Sequence, residues 1–348
     1  MLDTFIIFEI LSLTTLSFLV ALLWTPALTR FLHKYKIGKS LRDQDKAPLF
    51  HKLHAAKSGT PTMGGVLIWG TVFFVAIAFF LLRDVSEFFS LMNFLDRGET
   101  LLPLGALVAS GLVGIADDLF NVWRIGKNGG GIDVRHRLIL YTIIAAVGAL
   151  WFFFKLDWDV FHVPFLGDFN IGIWYIPIFI LIIVGTSFSV NQTDGLDGLA
   201  GGTLVSAFGA YAIISLLQGR YELAAFCGVI MGALLAFLWF NIYPARFFMG
   251  DTGAMSLGVT LGIIAMLTNS ALFLPIIGLV FVIEAVTTII QLIAKRFFQK
   301  KVFLIAPIHH HYEAKGWPEP RVVMRFWVIS WIAAALGIIL VLLDMSMT

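Results

Sequence analysis

Residues 1–24 read MLDTFIIFEILSLTTLSFLVALLW, a mostly apolar run long enough to cross a bilayer as a helix. The run has no basic segment and no small-residue cleavage pattern, so we expect a retained transmembrane helix rather than a signal peptide. Comparable stretches recur along the chain and predict ten transmembrane helices. They cover residues 5–26, 62–82, 101–119, 137–155, 172–190, 198–217, 222–241, 254–269, 271–294 and 323–344.

The composition agrees with this pattern. Apolar residues make up 59% of the chain and charged residues 13%, about half the charged share of an ordinary soluble domain. We therefore predict an all-α, polytopic membrane protein with one catalytic domain over residues 1–348 and no nucleic-acid partner. The single cysteine, Cys227, excludes an intramolecular disulfide framework and a cysteine-based zinc site.

Lysine and arginine are distributed unevenly between the predicted loops. The loops after odd-numbered helices hold 19 of them, against 4 in the loops after even-numbered helices. Because positive charge is retained on the cytoplasmic side, the odd loops are predicted inside and both termini outside.

The polar, glycine-rich stretches fall in the five predicted inner connections, and the outer loops have no comparable cluster. A catalytic or binding site at the cytoplasmic membrane surface is the natural interpretation. The stretches cover residues 57–65, 117–137, 191–198, 241–253 and 307–313.

Carboxylates dominate these stretches. Asp117 and Asp118 are adjacent, so on a helix their side chains point about 100° apart and are expected to do different jobs. Asp194 and Asp197 lie three residues apart with glycines between them, and Asp251 follows another glycine. Oxygen ligands without cysteine suit a hard cation such as Mg²⁺, commonly bound by one or two carboxylates together with substrate phosphates.

Several other polar residues allow two interpretations of their role. Residues 309–311 are consecutive histidines, which lack the i, i+4 spacing of a helical zinc site and suit phosphate or sugar contacts better. Asn191 could cap a helix or bind a ligand. Glu284, inside the ninth span, is either a functional carboxylate or an interhelical hydrogen-bonding residue. The basic residues of the inner loops are explained equally well by topology or by function: Lys57, Arg124, Lys127, Arg135 and Arg137.

Carboxylates, a hard-metal preference and cations at the membrane boundary together favour phosphoryl chemistry between a soluble donor and a lipid acceptor. A transporter or flippase would instead place ionisable residues near the middle of the bilayer. Glu284 is nearly alone at that depth, so transport is disfavoured.

The motifs resemble those of the phospho-N-acetylmuramoyl-pentapeptide-transferase family, within the wider polyprenyl-phosphate N-acetylhexosamine-1-phosphate transferases. The resemblance runs from about Lys57 to Trp327. Asp117-Asp118, the run NQTDGLDG at 191–198 and FMGD at 248–251 are similar to the signatures of the wider group. PIHHHYE at 307–313 and the following KGWPEPRV are similar to the narrower family. Asn121 and Arg137 stand where these enzymes commonly have lysine.

The resemblance implies ten helices with periplasmic termini, a bacterial inner membrane location, a cytoplasmic site and Mg²⁺. The implied reaction joins UDP-N-acetylmuramoyl-pentapeptide to undecaprenyl phosphate, giving lipid I and UMP. Direct attack by the lipid phosphate and a covalent aspartyl intermediate are both open. The alternative is transfer of N-acetylglucosamine-1-phosphate to the same lipid. A homodimer is expected by resemblance alone.

The resemblance also assigns roles to individual residues. Asp117, Asp118 and Asp251 are the implied catalytic and metal-binding residues. The implied substrate-binding residues are Lys57, Asn191, Asp194, Gly195, Leu196, Asp197, Asn241, Phe248, His309, His310 and His311.

Overall fold

The structure, a computed structural model, describes residues 4–38, 57, 59–95, 99–125 and 131–347. Most of this part of the chain is helical. The helices are α1 (Thr4–Lys34), α2 (Gly65–Leu82), α3 (Glu87–Leu91), α4 (Leu101–Val122), α5 (Val134–Lys155), α6 (Tyr175–Thr193), α7 (Leu199–Leu217), α8 (Tyr221–Asn241), α9 (Gly250–Leu267), α10 (Leu274–Ile277), α11 (Leu279–Phe298), α12 (Ile308–Ala314) and α13 (Glu319–Met347).

Nine helices in the described part of the chain are long and apolar enough to cross a membrane, and the number is ten when a bent pair is counted as one span. The prediction of an all-α, polytopic membrane protein is confirmed. Which side each terminus occupies stays a prediction from the distribution of positive charge. Side chains such as Leu23, Leu181 and Trp239 are exposed on the outside of the bundle, where apolar groups contact lipid.

The ninth span differs from its predicted form. We expected one helix over 271–294, but α10 and α11 are joined at Gly278 with a bend of 84°. Hydropathy continues through this break, whereas glycine disfavours a continuous helix because its backbone loses more conformational freedom on ordering. Glu284 therefore lies on α11, six residues after this bend, rather than within one straight span.

Helix α9 forms the centre of the bundle, and nearly all of its residues are buried. It packs against α2, α4 and α6, while α1 packs on α8 and α13 on α7. Small residues allow the closest crossing: a Cβ added at Gly65 in α2 would lie 2.2 Å from the Cα of Gly253 in α9. Such backbone approach is a common way for membrane helices to associate without a hydrophobic driving force.

A two-stranded antiparallel hairpin, which the sequence did not predict, follows α5. Its strands are β1 (Val160–Val163) and β2 (Gly167–Asn170), with Phe161 opposite Phe169. Together the two strands pair only eight residues, so the hairpin adds a small cap to a helical protein and leaves the fold class unchanged.

His162 ties this hairpin to the last helix. Its Nδ1 lies 2.7 Å from Asp168 Oδ1 and its Nε2 lies 2.6 Å from Asp344 Oδ2. The backbone N–H of Phe165 also donates to Asp344, at 2.6 Å, and the N–H of His162 donates to Asn269. Burial alone would lower the pKa of His162, but hydrogen bonds to Asp168 and Asp344 raise it overall.

This pKa direction predicts a pH-dependent stability. The stabilising contribution of His162 is complete below the ordinary histidine pKa of 6.5 and is lost as pH rises through the raised pKa of the folded state. We expect the Tm of detergent-purified protein to fall between pH 6 and pH 9, and His162→Gln to lower Tm at pH 6 and flatten the slope. His33→Gln, at an exposed site, is the control. An unchanged slope in His162→Gln would contradict the assignment.

Candidate active site

Hydrogen bonds and ion pairs connect all five predicted inner connections at one end of the bundle. Lys57 of the first connection contacts Asp197 of the third, and Asp118 of the second contacts Thr252 of the fourth. The fifth connection joins them through Glu319, which contacts Lys57. Lys127 and Ser58, also in these connections, lie outside the described residues.

An acidic pair with one arginine between its members forms the centre of the cluster. Arg137 Nη2 lies 2.7 Å from Asp117 Oδ2, and its Nη1 lies 3.0 Å from Asp251 Oδ1. Nη1 also donates to Asn191 Oδ1 at 3.0 Å, and Asn191 Nδ2 donates to Asp251 at 2.5 Å. The backbone N–H of Ile132 donates to Asp117. Two carboxylates therefore converge on the guanidinium group of Arg137 at one end of the bundle.

Asp118 points elsewhere, as the helical spacing predicted. It is buried, accepts from Thr62 Oγ1 at 3.1 Å and accepts from the backbone N–H of Thr252 at 3.1 Å. The N–H groups in the first turn of a helix have no partner within the helix, so Asp118 satisfies one at the start of α9. Its role as a catalytic or metal-binding residue stays a prediction.

Lys57 is held by two carboxylates. Its Nζ lies 2.6 Å from Asp197 Oδ1 and 2.5 Å from Glu319 Oε1, and it lies 5.8 Å from the ring centroid of Phe248. Glu319 also accepts from the backbone N–H of Asp197 at 2.7 Å. Burial alone would lower the pKa of Lys57, but the charges of Glu319 and Asp197 raise it overall.

The turn after α6 is fixed by its own polar residues. Asp194 accepts from the backbone N–H of Gly250 at 3.2 Å, and Asp197 accepts from Ala245 N–H at 3.0 Å. Gly198 has a φ of +81°, which glycine adopts readily. Leu196 is buried in a small apolar cluster with Leu199, Val280, Val322, Val323 and Phe326.

Asn241, at the end of α8, clamps this turn to the next connection. Its Oδ1 accepts from the N–H of Gly198 at 2.9 Å, and its Nδ2 donates to the carbonyl of Phe247 at 2.8 Å. Both ends of the amide therefore bind backbone, and the predicted contact of Asn241 with substrate stays a prediction.

The three histidines lie on α12 and differ in their surroundings. His309 is fully buried against Glu284, with Nδ1 2.8 Å from Oε2. His310 is nearly buried, with Nδ1 2.7 Å from Glu313 Oε2. His311 is partly exposed, and its Nδ1 accepts from the N–H of Leu304. Burial and the nearby Lys315 lower the pKa of His311. Of the three, His311 is the most open to a ligand.

The donor chemistry of the central cluster fits a hard cation. Within the ranges that the structure describes, no three His, Cys, Asp or Glu side chains are grouped to hold a metal. Mg²⁺, however, commonly takes one or two carboxylates and completes its shell with water and phosphate. Asp117 and Asp251 converge on a single cation, Arg137, and so have the required chemistry. Asp118 faces Thr62 and Thr252 instead.

Two residues of the cluster could not be singled out from sequence. Arg137 lies in the first turn of α5, where topology explained it as well as function did, and Arg124 and Arg135 are exposed. Nothing in the sequence distinguished Glu319 as a site residue apart from its place in the motif after the histidines. Its nearest charged partners lie more than 100 residues away along the chain, so only the fold brings them together.

Residues 100–269 match the family described as Glycosyl transferase family 4, and residues 57–68 match Phospho-N-acetylmuramoyl-pentapeptide-transferase signature 1. These ranges contain Lys57, Asp117, Asp118, Arg137 and Asp251.

Full-length relatives carry the name Phospho-N-acetylmuramoyl-pentapeptide-transferase. The Chloroflexus aggregans protein is 39% identical, over 96% of this chain and 89% of its own length. A Geobacillus protein is 40% identical, over 93% and 95%, and the Bacillus subtilis protein is 39% identical, over 97% and 98%.

Gly114 provides a test of how α4 brings its carboxylates to α9. A Cβ at this position would lie 2.4 Å from the Cα of Thr252 and 2.6 Å from the carbonyl oxygen of Asp251. We expect Gly114→Ala to destabilise the protein by roughly 1–3 kcal/mol, because backbone must move to admit the methyl group. Gly105→Ala on the same helix, where nothing lies within 4 Å of the added carbon, is the matched control and should not lower Tm. Equal Tm values for the two variants would contradict this packing.

Glu319 is expected to set the reactivity of Lys57. Glu319→Gln removes a charge that raises the pKa of Lys57, so a larger fraction of the amine is neutral at pH 9. We expect acylation of Lys57 at that pH, followed by mass spectrometry, to be several-fold faster in the variant. The exposed Lys300 serves as internal control. Equal Lys57 rates in both proteins would show that Glu319 does not hold the amine.

Proposed function

The chain belongs to the phospho-N-acetylmuramoyl-pentapeptide-transferase family, and we propose that it transfers phospho-N-acetylmuramoyl-pentapeptide from UDP-N-acetylmuramoyl-pentapeptide to undecaprenyl phosphate. The products are lipid I and UMP. The observation that carries this proposal is the pairing of Asp117 and Asp251 through Arg137 at one end of a membrane-spanning bundle. A site at that boundary can receive a soluble nucleotide donor and a lipid phosphate together.

The cluster contains two cations that a reaction between anions can use. Phosphoryl transfer depends on positioning and on neutralising the charge of the reacting phosphates. Arg137 and Lys57 are the two cations of the cluster whose side chains are mostly buried, and each is already held in place by carboxylates. In the proposed reaction these cations bind the diphosphate of the donor and the phosphate of the acceptor.

The bond changes are those of a direct displacement. An oxygen of the lipid phosphate attacks the β-phosphorus of the donor, a new P–O bond forms, the bond to the α-phosphate oxygen breaks, and UMP leaves. A phosphate monoester has a second pKa near 6, so the acceptor is mostly dianionic at neutral pH and needs little help from a base. Asp117 orients the acceptor and takes any residual proton.

Mg²⁺, held by Asp117 and Asp251, would neutralise charge on the donor diphosphate. The oxygen ligands in the cluster and the convergence of its two carboxylates support this proposal. Asp118 is the third candidate ligand. The direct route is favoured over a covalent aspartyl intermediate because Asp117 and Asp251 are both ion-paired with Arg137, which lowers the nucleophilicity of their oxygens.

The proposed location is the bacterial cytoplasmic membrane, with the site facing the cytoplasm, because positive charge concentrates in the loops that form it. The alternative substrate, UDP-N-acetylglucosamine, lacks the peptide. Full-length relatives carry the pentapeptide enzyme's name, and this supports the pentapeptide donor. A homodimer is proposed on family resemblance alone.

The reaction is tested with purified protein, undecaprenyl phosphate, Mg²⁺ and UDP-N-acetylmuramoyl-pentapeptide, measuring UMP and lipid-linked product. We expect product from the wild type and a loss of about 100-fold or more in Asp251→Ala, because charge stabilisation at the reacting phosphates is removed. Asp84→Ala, at an exposed carboxylate, is the matched control and should retain activity.

Further measurements test the metal, the reaction route and the donor separately. Activity should disappear with EDTA and return with Mg²⁺; activity that persists in EDTA would contradict the metal proposal. Donor incubated without acceptor should leave no phosphosugar on the protein by mass spectrometry; a stable adduct would establish the covalent route. Use of UDP-N-acetylglucosamine alone would overturn the pentapeptide assignment, and turnover of neither donor would overturn the transferase proposal.

A further inference from the structure

Glu284 and His309 form a fully buried polar pair beside the turn after α6. Neither side chain is exposed, and His309 Nδ1 lies 2.8 Å from Glu284 Oε2. Glu284 lies on α11 beyond the bend at Gly278, and His309 lies on the short helix α12. A carboxylate is costly to bury unless it is paired, so this contact accounts for an acidic residue in an otherwise apolar helix.

The geometry fixes the orientation of the histidine ring. With Nδ1 donating to the carboxylate, Nε2 is the ring atom directed away from Glu284, as in other carboxylate–histidine pairs. Within the described part of the chain, His309 Nε2 and Glu284 Oε1 have no hydrogen-bond partner. Among these residues, the hydrogen bond between the two side chains therefore leaves one polar atom of each without a partner.

The free edge of the His309 ring contacts Gly195. A Cβ added at Gly195 would lie 2.2 Å from His309 Nε2 and 2.7 Å from Cε1, too close for any side chain. Gly195 stands between Asp194, which binds the N–H of Gly250, and Asp197, which binds Lys57. His309 thus packs behind the turn that carries these two carboxylates and is completely buried there, and its predicted contact with substrate stays a prediction.

We propose that Glu284 is a positioning residue of the transferase site, acting only through His309: it sets the ring orientation, and the ring sets the position of the Asp194–Asp197 turn. This inference rests on the proposed function and deepens it. Glu284 touches no substrate in this assignment. Its carboxylate determines where the Asp197–Lys57 pair meets the donor diphosphate.

The expected signature is a selective loss of donor binding. Glu284→Gln keeps the size of the side chain but removes the charge that orients His309. We expect the KM for UDP-N-acetylmuramoyl-pentapeptide to rise about tenfold, as for loss of a hydrogen bond to a charged group, while the KM for undecaprenyl phosphate stays unchanged. Thr288→Val, one turn along α11, removes only a hydroxyl bonded to the helix backbone and is the matched control.

A double-mutant cycle separates this role from a purely structural one. In the His309→Ala background, Glu284→Gln should change the donor KM by less than about twofold, because its effect passes through the ring. Independent multiplication of the two effects would overturn the proposal, as would a Glu284→Gln variant with wild-type donor KM.

A second pair of variants tests the ring contact even if Glu284→Gln fails to fold. Gly195→Ala should weaken donor binding, and combining it with His309→Ala should restore part of that loss because the clash is removed. Absence of any recovery would overturn the contact. Wild-type protein without transfer activity would count against the proposed function, whereas active wild type with no coupling between Glu284 and His309 would count against this inference alone.

Discussion

The contact between Asp118 and the first turn of α9 organises the site end of the molecule. One carboxylate joins α4, the segment before α2 and the start of the most buried helix, through Thr62 and the N–H of Thr252. Because α4 can approach α9 closely at Gly114, the neighbouring Asp117 is brought beside Asp251. Inside a bilayer the backbone must satisfy its own hydrogen bonds, so such polar contacts are concentrated where helices end.

Charge balance is the second organising feature. Arg137 is shared by Asp117 and Asp251, and Lys57 is shared by Asp197 and Glu319, so each buried cation has two carboxylates. Four carboxylates around two cations leave the cluster with excess negative charge at neutral pH. A phosphate-rich substrate is repelled by that excess unless a further cation enters with it, and this supports the proposed Mg²⁺.

Much of this architecture could be predicted from sequence, because hydropathy and positive-charge bias act locally along the chain. The spans and the divergence of Asp117 from Asp118 follow from such rules. The bend at Gly278 was missed because hydropathy does not register helix direction, and the hairpin tied by His162 was missed because it is short. Glu319 and the partner of Glu284 depend on contacts between distant segments. His309 is buried and His311 is partly exposed, a difference that a run of three histidines does not reveal in the sequence.

Helix α13 holds one of these distant contacts at each end. Glu319 binds Lys57 and Asp197 at its start, and Asp344 binds His162 and Phe165 near its end. Its 29 residues extend about 43 Å, whereas the uncharged stretch between Arg325 and Asp344 extends about 27 Å, close to the roughly 30 Å of a typical hydrocarbon core. Both polar anchors therefore lie beyond the charged residues or at them, near the ends of the apolar stretch. A helix fixed at both ends cannot tilt independently of the bundle, so the two polar clusters keep a constant separation across the membrane.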